Sequence, residues 1–313
     1  MRRSCLGAAL AALALGACVD SQAPDNTAGN SNPAALPTLG TMQTVKGSTG
    51  ADGFKIDLRF VSPATTAQKA FFEIAAARWQ SIITGDVPNT TGSIPAQGCG
   101  NGFPTPPFLG GVDDVLIDVV LVPIDGPGAV LGAAGPCLTR NEDDLTVYGI
   151  MLFDTADLAF MAGQGIFDEV VVHEMGHVLG VGTLWNYQRS LLQFSVTDPR
   201  FVGSNAIAGY HAVGGASQTI PVEEGFGPGT AFGHWDEESF DTELMTGFIG
   251  RKAPLSVMTI GSMADLGYVV NTAVADDYRV RGQERDEEAA AAGEQIINLA
   301  AGMKLVKPIG VVK

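Results

Sequence analysis

The clearest chemistry in the chain lies in Val171-Val172-His173-Glu174-Met175-Gly176-His177-Val178-Leu179-Gly180. Two histidines four apart on a helix project from one face, one turn above the other. Both imidazoles can then reach one tetrahedral zinc ion, and Glu174 falls beside the coordination position left open. Zinc lowers the pKa of a bound water to about 7, and a carboxylate within hydrogen-bond reach can take its proton. The activated water attacks a carbonyl that the same ion polarises, and the glutamate can return the proton to the leaving amine. The pattern fixes only three positions, so it can arise by chance on an ordinary helix. Here Val171, Met175 and Val178 supply a separate apolar face, and the segment holds two of the chain's four histidines. Those flanks favour a metal site over chance.

A third protein ligand is needed. In the metzincin pattern H-E-x-x-H-x-x-G-x-x-H it stands three residues after the glycine, where this chain has Thr183. On spacing alone the third ligand is either a carboxylate or a histidine beyond an insertion, His211 or His234. Glu223, Glu224 and Glu237 are the acidic choices. The surroundings of His234 carry more information. His177-Val178-Leu179-Gly180-Val181-Gly182-Thr183-Leu184-Trp185 is followed by Gly233-His234-Trp235-Asp236-Glu237 and then by Glu243-Leu244-Met245-Thr246-Gly247. These segments resemble the leishmanolysin family of metzincins. The likeness extends through Ala75-Ala76-Ala77-Arg78-Trp79, Asp198-Pro199-Arg200-Phe201, Pro221-Val222-Glu223 and Asp265-Leu266-Gly267-Tyr268, and covers roughly residues 54–271.

The resemblance implies that His234 is the third ligand, by its G-H-W context, and that Met245 forms the Met-turn beneath the metal. It implies one catalytic Zn2+ and protein or peptide substrates. The fold it implies is α+β and zincin-like: a twisted N-terminal sheet with backing and active-site helices, and an irregular C-terminal lobe across an active-site cleft. It also suggests that the strand at Tyr148 to Phe153 edges that cleft, where an extended peptide would add as a further strand. Family members of the protozoan surface type carry a long propeptide with a latency cysteine and a cysteine-rich C-terminal domain. Neither is found in this sequence, so thiol-switch latency is not carried over.

Several elements must position these residues. Phe54, Ile56, Leu58 and Phe60 alternate with Lys55, Asp57 and Arg59, the period of a strand with one buried face. Thr65-Thr66 opens a helix that places Phe72, Ala76, Trp79 and Ile83 on one side and stops near Gly85. Residues 88–111, dense in Gly and Pro, read as loop. Val115 to Val122 is an apolar, β-branched run and so an interior strand. Tyr148 to Phe153 is another strand, a short helix follows Asp154, and Phe167 to Leu179 is the helix of the histidines. From Gly180 to about Phe240 the pattern is Gly-rich loop, followed by a compact region around Thr259 to Val270. Glu284 to Ala301 reads as an Ala-rich terminal helix. The resulting division is 49–275 for the catalytic domain, with an upper lobe of about 49–180 and a lower lobe of about 181–275, then a helical tail over 276–313.

Ahead of the domain, Arg2, Arg3 and the apolar run Leu6 to Leu15 have the form of an export signal, too short to span a bilayer. Leu15-Gly16-Ala17-Cys18 resembles a bacterial lipobox, which makes Cys18 the lipidation candidate; the other reading is an ordinary signal cut near Ala17. Residues 1–18 are therefore the signal peptide and 19–48 a flexible tether. The expected location is outside the cytoplasm, on a membrane through the lipid or otherwise secreted. Cys99 and Cys137 form a disulfide candidate in an exported chain, with two buried thiols as the other reading. A formal charge of −16 argues against nucleic acid or an anionic membrane surface as a partner, since both need basic patches. The rival function is a surface-anchored binding or adhesion protein that keeps the fold and the zinc with little turnover. Intact Glu174 separates the two, because binding alone does not need a base beside the open position.

Overall fold

The computed structural model describes residues 53–280 apart from 101, 129 and 188, residues 297–299 and 302–312, and the backbone of two dipeptides in the expected tether. Residues 1–18 with Cys18, and most of the expected terminal helix, lie outside the described residues. The two dipeptides are β1 (Thr38–Leu39) and β2 (Gln43–Thr44). Next come β3 (Ile56–Phe60) and α1 (Thr66–Ile82). The Thr65 side chain accepts from the Gln68 backbone N–H, and the Gln68 side chain accepts from that of Thr65. This reciprocal cap satisfies two donors that have no helical partner. Phe72, Ala75, Ala76, Trp79 and Ile82 make up the buried face of the helix.

The stretch expected as loop contains an antiparallel pair, β4 (Thr90–Ile94) and β5 (Phe108–Val112), with β2 on the outer side of β4. Gly92, Gly110 and Gly111 interrupt the alternation that would have marked these strands. Then follow β6 (Val115–Val122), β7 (Gly132–Arg140), β8 (Thr146–Asp154), α2 (Thr155–Gln164) and α3 (Phe167–Leu179). Asp154 caps α2 and Gly165, at φ 66°, ends it.

Beyond α3 the chain forms β9 (Leu192–Gln193), β10 (Arg200–Phe201), α4 (Ser204–Ala212), β11 (Ile220–Pro221), α5 (Glu237–Phe240), β12 (Phe248–Ile249) and α6 (Val257–Leu266). Helix α4 falls where only loop was expected. It packs on α6 through Gly209 and Gly261, where a Cβ would come within 2.6 Å of the partner's backbone.

The last described residues are β13 (Ile297–Asn298), β14 (Met303–Leu305) and β15 (Gly310–Val312). The described residues of the tail expected to be helical thus hold three short strands and no α-helix. Met303-Lys304-Leu305-Val306 and Gly310-Val311-Val312 suit a pleated surface, and an open sheet edge is available to pair with them.

The main sheet runs β1-β15-β7-β8-β6-β3, with β14 also on β7. Strands β3, β6 and β8 are mutually parallel, β7 is antiparallel to β8, and β14 and β15 run parallel to β7. Here the expectation for Tyr148 to Phe153 fails. That segment lies in β8, flanked by β6 and β7, so it is no cleft edge. The strand beyond it is β7, itself covered by β14 and β15, and its Gly132-Ala133-Ala134-Gly135-Pro136 start lacks the β-branched residues that signal a strand.

Both faces of the sheet are covered. Ile117, Val119 and Leu121 of β6 meet α1 and α3, where Phe72, Phe153 and Phe167 stack edge-to-face at 5.7–6.0 Å. Leu116 and Val120 face an outer layer built around Cys99, Cys137 and Tyr148. Asp118 in mid-strand is compensated by two bonds from Arg59 and one from the Tyr148 hydroxyl.

Candidate metal centre

Helix α3 is held against the sheet and α1 along its length. The Trp79 indole N–H donates to the Val172 carbonyl at 2.9 Å, and a Cβ on Gly149 of β8 would meet Val178. The helix thus has a fixed rotation that buries His173, Glu174 and His177 completely. Gly180, at φ 123°, ends it, and the chain turns back through Gly182 at φ 72°. A Cβ on Gly182 would strike the backbone of Gly233. That close approach, open only to glycine, brings the residue preceding His234 against the end of the histidine helix. Thr183 stands at the position of the uninterrupted metzincin pattern and donates its hydroxyl to the His177 carbonyl.

The three imidazoles converge. Nε2 of His177 lies 2.9 Å from that of His173 and 3.0 Å from that of His234, and the third separation is 3.2 Å. Each Nδ1 faces a backbone carbonyl: His173 that of Leu244 at 2.6 Å, His177 that of Val181 and His234 that of Thr230, both at 2.9 Å. A carbonyl can only accept, so each Nδ1 carries the proton and each Nε2 presents a lone pair. Burial holds all three rings neutral, with His173 pushed down to about 3 and His234 to about 4. Three lone pairs pointed at one another repel unless a cation lies among them. Zinc–nitrogen bonds of 2.0–2.1 Å in a tetrahedron set the nitrogens about 3.3 Å apart, so the rings fit a zinc ion after moving a few tenths of an ångström. The carbonyls are the outer partners such ligands need for orientation.

Glu174 lies beside this cluster, with an oxygen 4.0 Å from Nε2 of His173. Neither carboxylate oxygen has a hydrogen-bond partner, and burial pushes the group up to about 8. An orphaned buried carboxyl is costly, which fits a group whose partner is a bound ion and reacting water.

Met245 packs against the histidine helix between the two ligand positions: a Cβ on Gly176 would sit 3.1 Å from its sulfur. The turn that presents it is anchored by buried Glu243, which accepts from the Met245 and Ser256 backbone N–H groups and from the Ser256 and Thr259 hydroxyls. Trp235 does not cover the site. It packs among Trp185, Phe201 and Phe240 and donates to Thr259. His211 is exposed on α4 and bonded to the Ser217 carbonyl. Glu223 accepts from the backbone N–H groups of Gly225 and Glu237, and neither it, Glu224 nor Glu237 joins the histidine group.

Cys99 and Cys137 are joined by a disulfide with Cα atoms 4.8 Å apart. The positioning residues that sequence reasoning missed are Glu243 and the glycines Gly182 and Gly233. The first had a signal in its neighbouring Met245; the glycines had none without knowledge of what approaches them. An open cleft was expected, yet His234 is only 3% exposed and the other three residues are fully buried.

No curated protein matches the chain. Residues 83–278, most of its length, match the family of leishmanolysin. The chain therefore belongs to the leishmanolysin family of metallopeptidases.

Proposed function

We propose that this chain is a zinc endopeptidase in which His173, His177 and His234 hold the metal and Glu174 is the catalytic base. The observation that carries the reading is the trio of Nε2 lone pairs, each aimed by an Nδ1 bond to a carbonyl, beside an unpartnered carboxyl. A zinc ion bound there supplies Lewis-acid polarisation of a peptide carbonyl and lowers the pKa of water. Glu174 takes the proton from the attacking water and delivers it to the departing amine, so the peptide bond breaks with no covalent enzyme intermediate. Met245 and the outer carbonyls keep the imidazoles in register and take no part in proton transfer. The binding-protein reading gains nothing from the geometry, since a buried base is a cost that binding alone does not recover.

The test is Glu174→Gln in zinc-loaded protein. Zinc stoichiometry should stay near one while kcat/KM falls by roughly 10²–10⁴-fold, the usual range for a general base. Turnover at the unsubstituted rate would remove Glu174 from the mechanism. We also propose export and lipid attachment at Cys18, on the strength of the Arg2-Arg3 start and the Leu15-Gly16-Ala17-Cys18 segment. Cys18→Ser should move the protein from membranes to the soluble fraction, and a variant that stays with membranes contradicts the anchor.

A further inference from the structure

We propose that the described tail residues, 297–299 and 302–312, are an autoinhibitory strap: they fill the sheet edge where a peptide substrate would add, and must leave for the site to work. The inference rests on the peptidase reading above.

The strap has two attachments, one to β12 and one to β7. At its start, β13 pairs antiparallel with β12, three residues beyond Met245, and the Leu299 N–H donates to the Gly247 carbonyl at 3.1 Å. At its end, β14 and β15 close the free edge of β7. The Leu131 N–H donates to the Gly302 carbonyl, Val306 to Ala134, Ile309 to Cys137 and Asn141 to Val312, at 2.8–2.9 Å. Between these ends the Leu305 side chain lies against Gly233, the residue before His234. Leu299 and Met303 join the same core as Met175 and Met245.

Strand β7 is the strand next to β8 on the side away from β6, and it packs against the histidine helix. An extended peptide gains affinity by pairing with the unpaired N–H and C=O groups of such an edge. One edge takes one strand, so strap and substrate exclude each other. The catalytic carboxyl and the ligands are almost fully buried. A peptidase cannot bring a chain to a base with no exposed surface unless something moves, and the segment on the substrate edge is the one that must.

The test needs no turnover. A peptide hydroxamate, which binds zinc while its peptide part pairs with an edge, is added to full-length zinc-loaded protein. Hydrogen exchange is then followed at the Val306 and Ile309 amides. Displacement of the strap predicts at least a tenfold rise in their exchange on saturation. Full protection in the saturated complex overturns the inference. In parallel, Leu305→Asp and Val306→Pro should each raise the hydroxamate association rate at least tenfold, while the exposed Lys304→Ala leaves it unchanged. Equal rates in wild type and both variants, or binding to none of them, also overturn it. The peptidase reading fails separately. Displacement without hydrolysis of any peptide keeps the strap and removes the activity, whereas equal hydrolysis by wild type and variants keeps the activity and removes the strap.

Discussion

His234 lies 57 residues beyond His177, yet its Nε2 comes within 3.0 Å of its partner's. Long surface insertions cost little closure entropy, so sequence distance is no obstacle; the local packing of Gly182 on Gly233 and the Thr230 carbonyl set the position. His211 has the same chemistry and a single bond to an exposed carbonyl. His234→Ala should therefore lose zinc on dialysis against a weak chelator, with affinity down by more than the roughly 10–100-fold that loss of an outer-shell partner costs. His211→Ala should hold stoichiometric zinc. Full zinc in His234→Ala, by metal analysis, would place the third ligand elsewhere.

Helix α3 was the most legible element, because its H-E-x-x-H and its apolar positions are both periodic and local. Strands β3, β6 and β8 were legible for the same reason, and so was α1. What was lost depended on partners far away in sequence. Strand β7 has Gly and Ala where strands carry branched residues, and takes its form from pairing with β8. Helix α4 hides behind the glycine that lets it approach α6. Strands β14 and β15 form only because β7 offers an edge. Within the site, the meeting of the three histidines was legible through the resemblance, and the burial of the whole cluster was not, since it depends on packing between distant parts of the chain. Helix α3 also carries a titratable group outside the chemistry. Glu169, in its first turn, is pushed up to about 7 from 4.5, chiefly by burial and then by Asp168 and Asp276. The folded chain thus binds this proton more tightly than the unfolded one. Its contribution is fully present below about pH 4.5 and is lost as pH rises through 7. Glu169→Gln should leave the melting temperature unchanged near pH 4 and raise it at pH 8 by about 2–4 °C. That is the shift roughly 1 kcal/mol gives in a domain of this size, after allowance for partial solvent screening. A gap that is constant with pH would show that burial of the carboxyl is not the cause.

Among the described residues two apolar clusters lie on the two faces of the main sheet, and the disulfide belongs to the outer one. Cys137 is on β7 and Cys99 in the turn after β4, 38 residues apart in sequence. Chain entropy predicts that closing a loop of this length stabilises by about 4 kcal/mol, and nearly all of that acts on the unfolded chain. The metal centre is on the other face of the sheet, among residues of the inner core. The Cys99→Ala/Cys137→Ala double variant should therefore melt of order 10 °C lower, taking 2–4 °C per kcal/mol for this size, and still bind one zinc ion. Reduced wild type gives the second comparison. If the bond acts by restricting the unfolded chain, reduction and double substitution cost the same to within about 1 kcal/mol, since each frees the same loop. If the sulfurs mattered instead through native packing around Tyr148 and Leu138, the alanine variant would lose more than the reduced chain, which keeps their volume. Urea unfolding of the three forms decides, and an unchanged midpoint on reduction would show that the bond contributes nothing to stability.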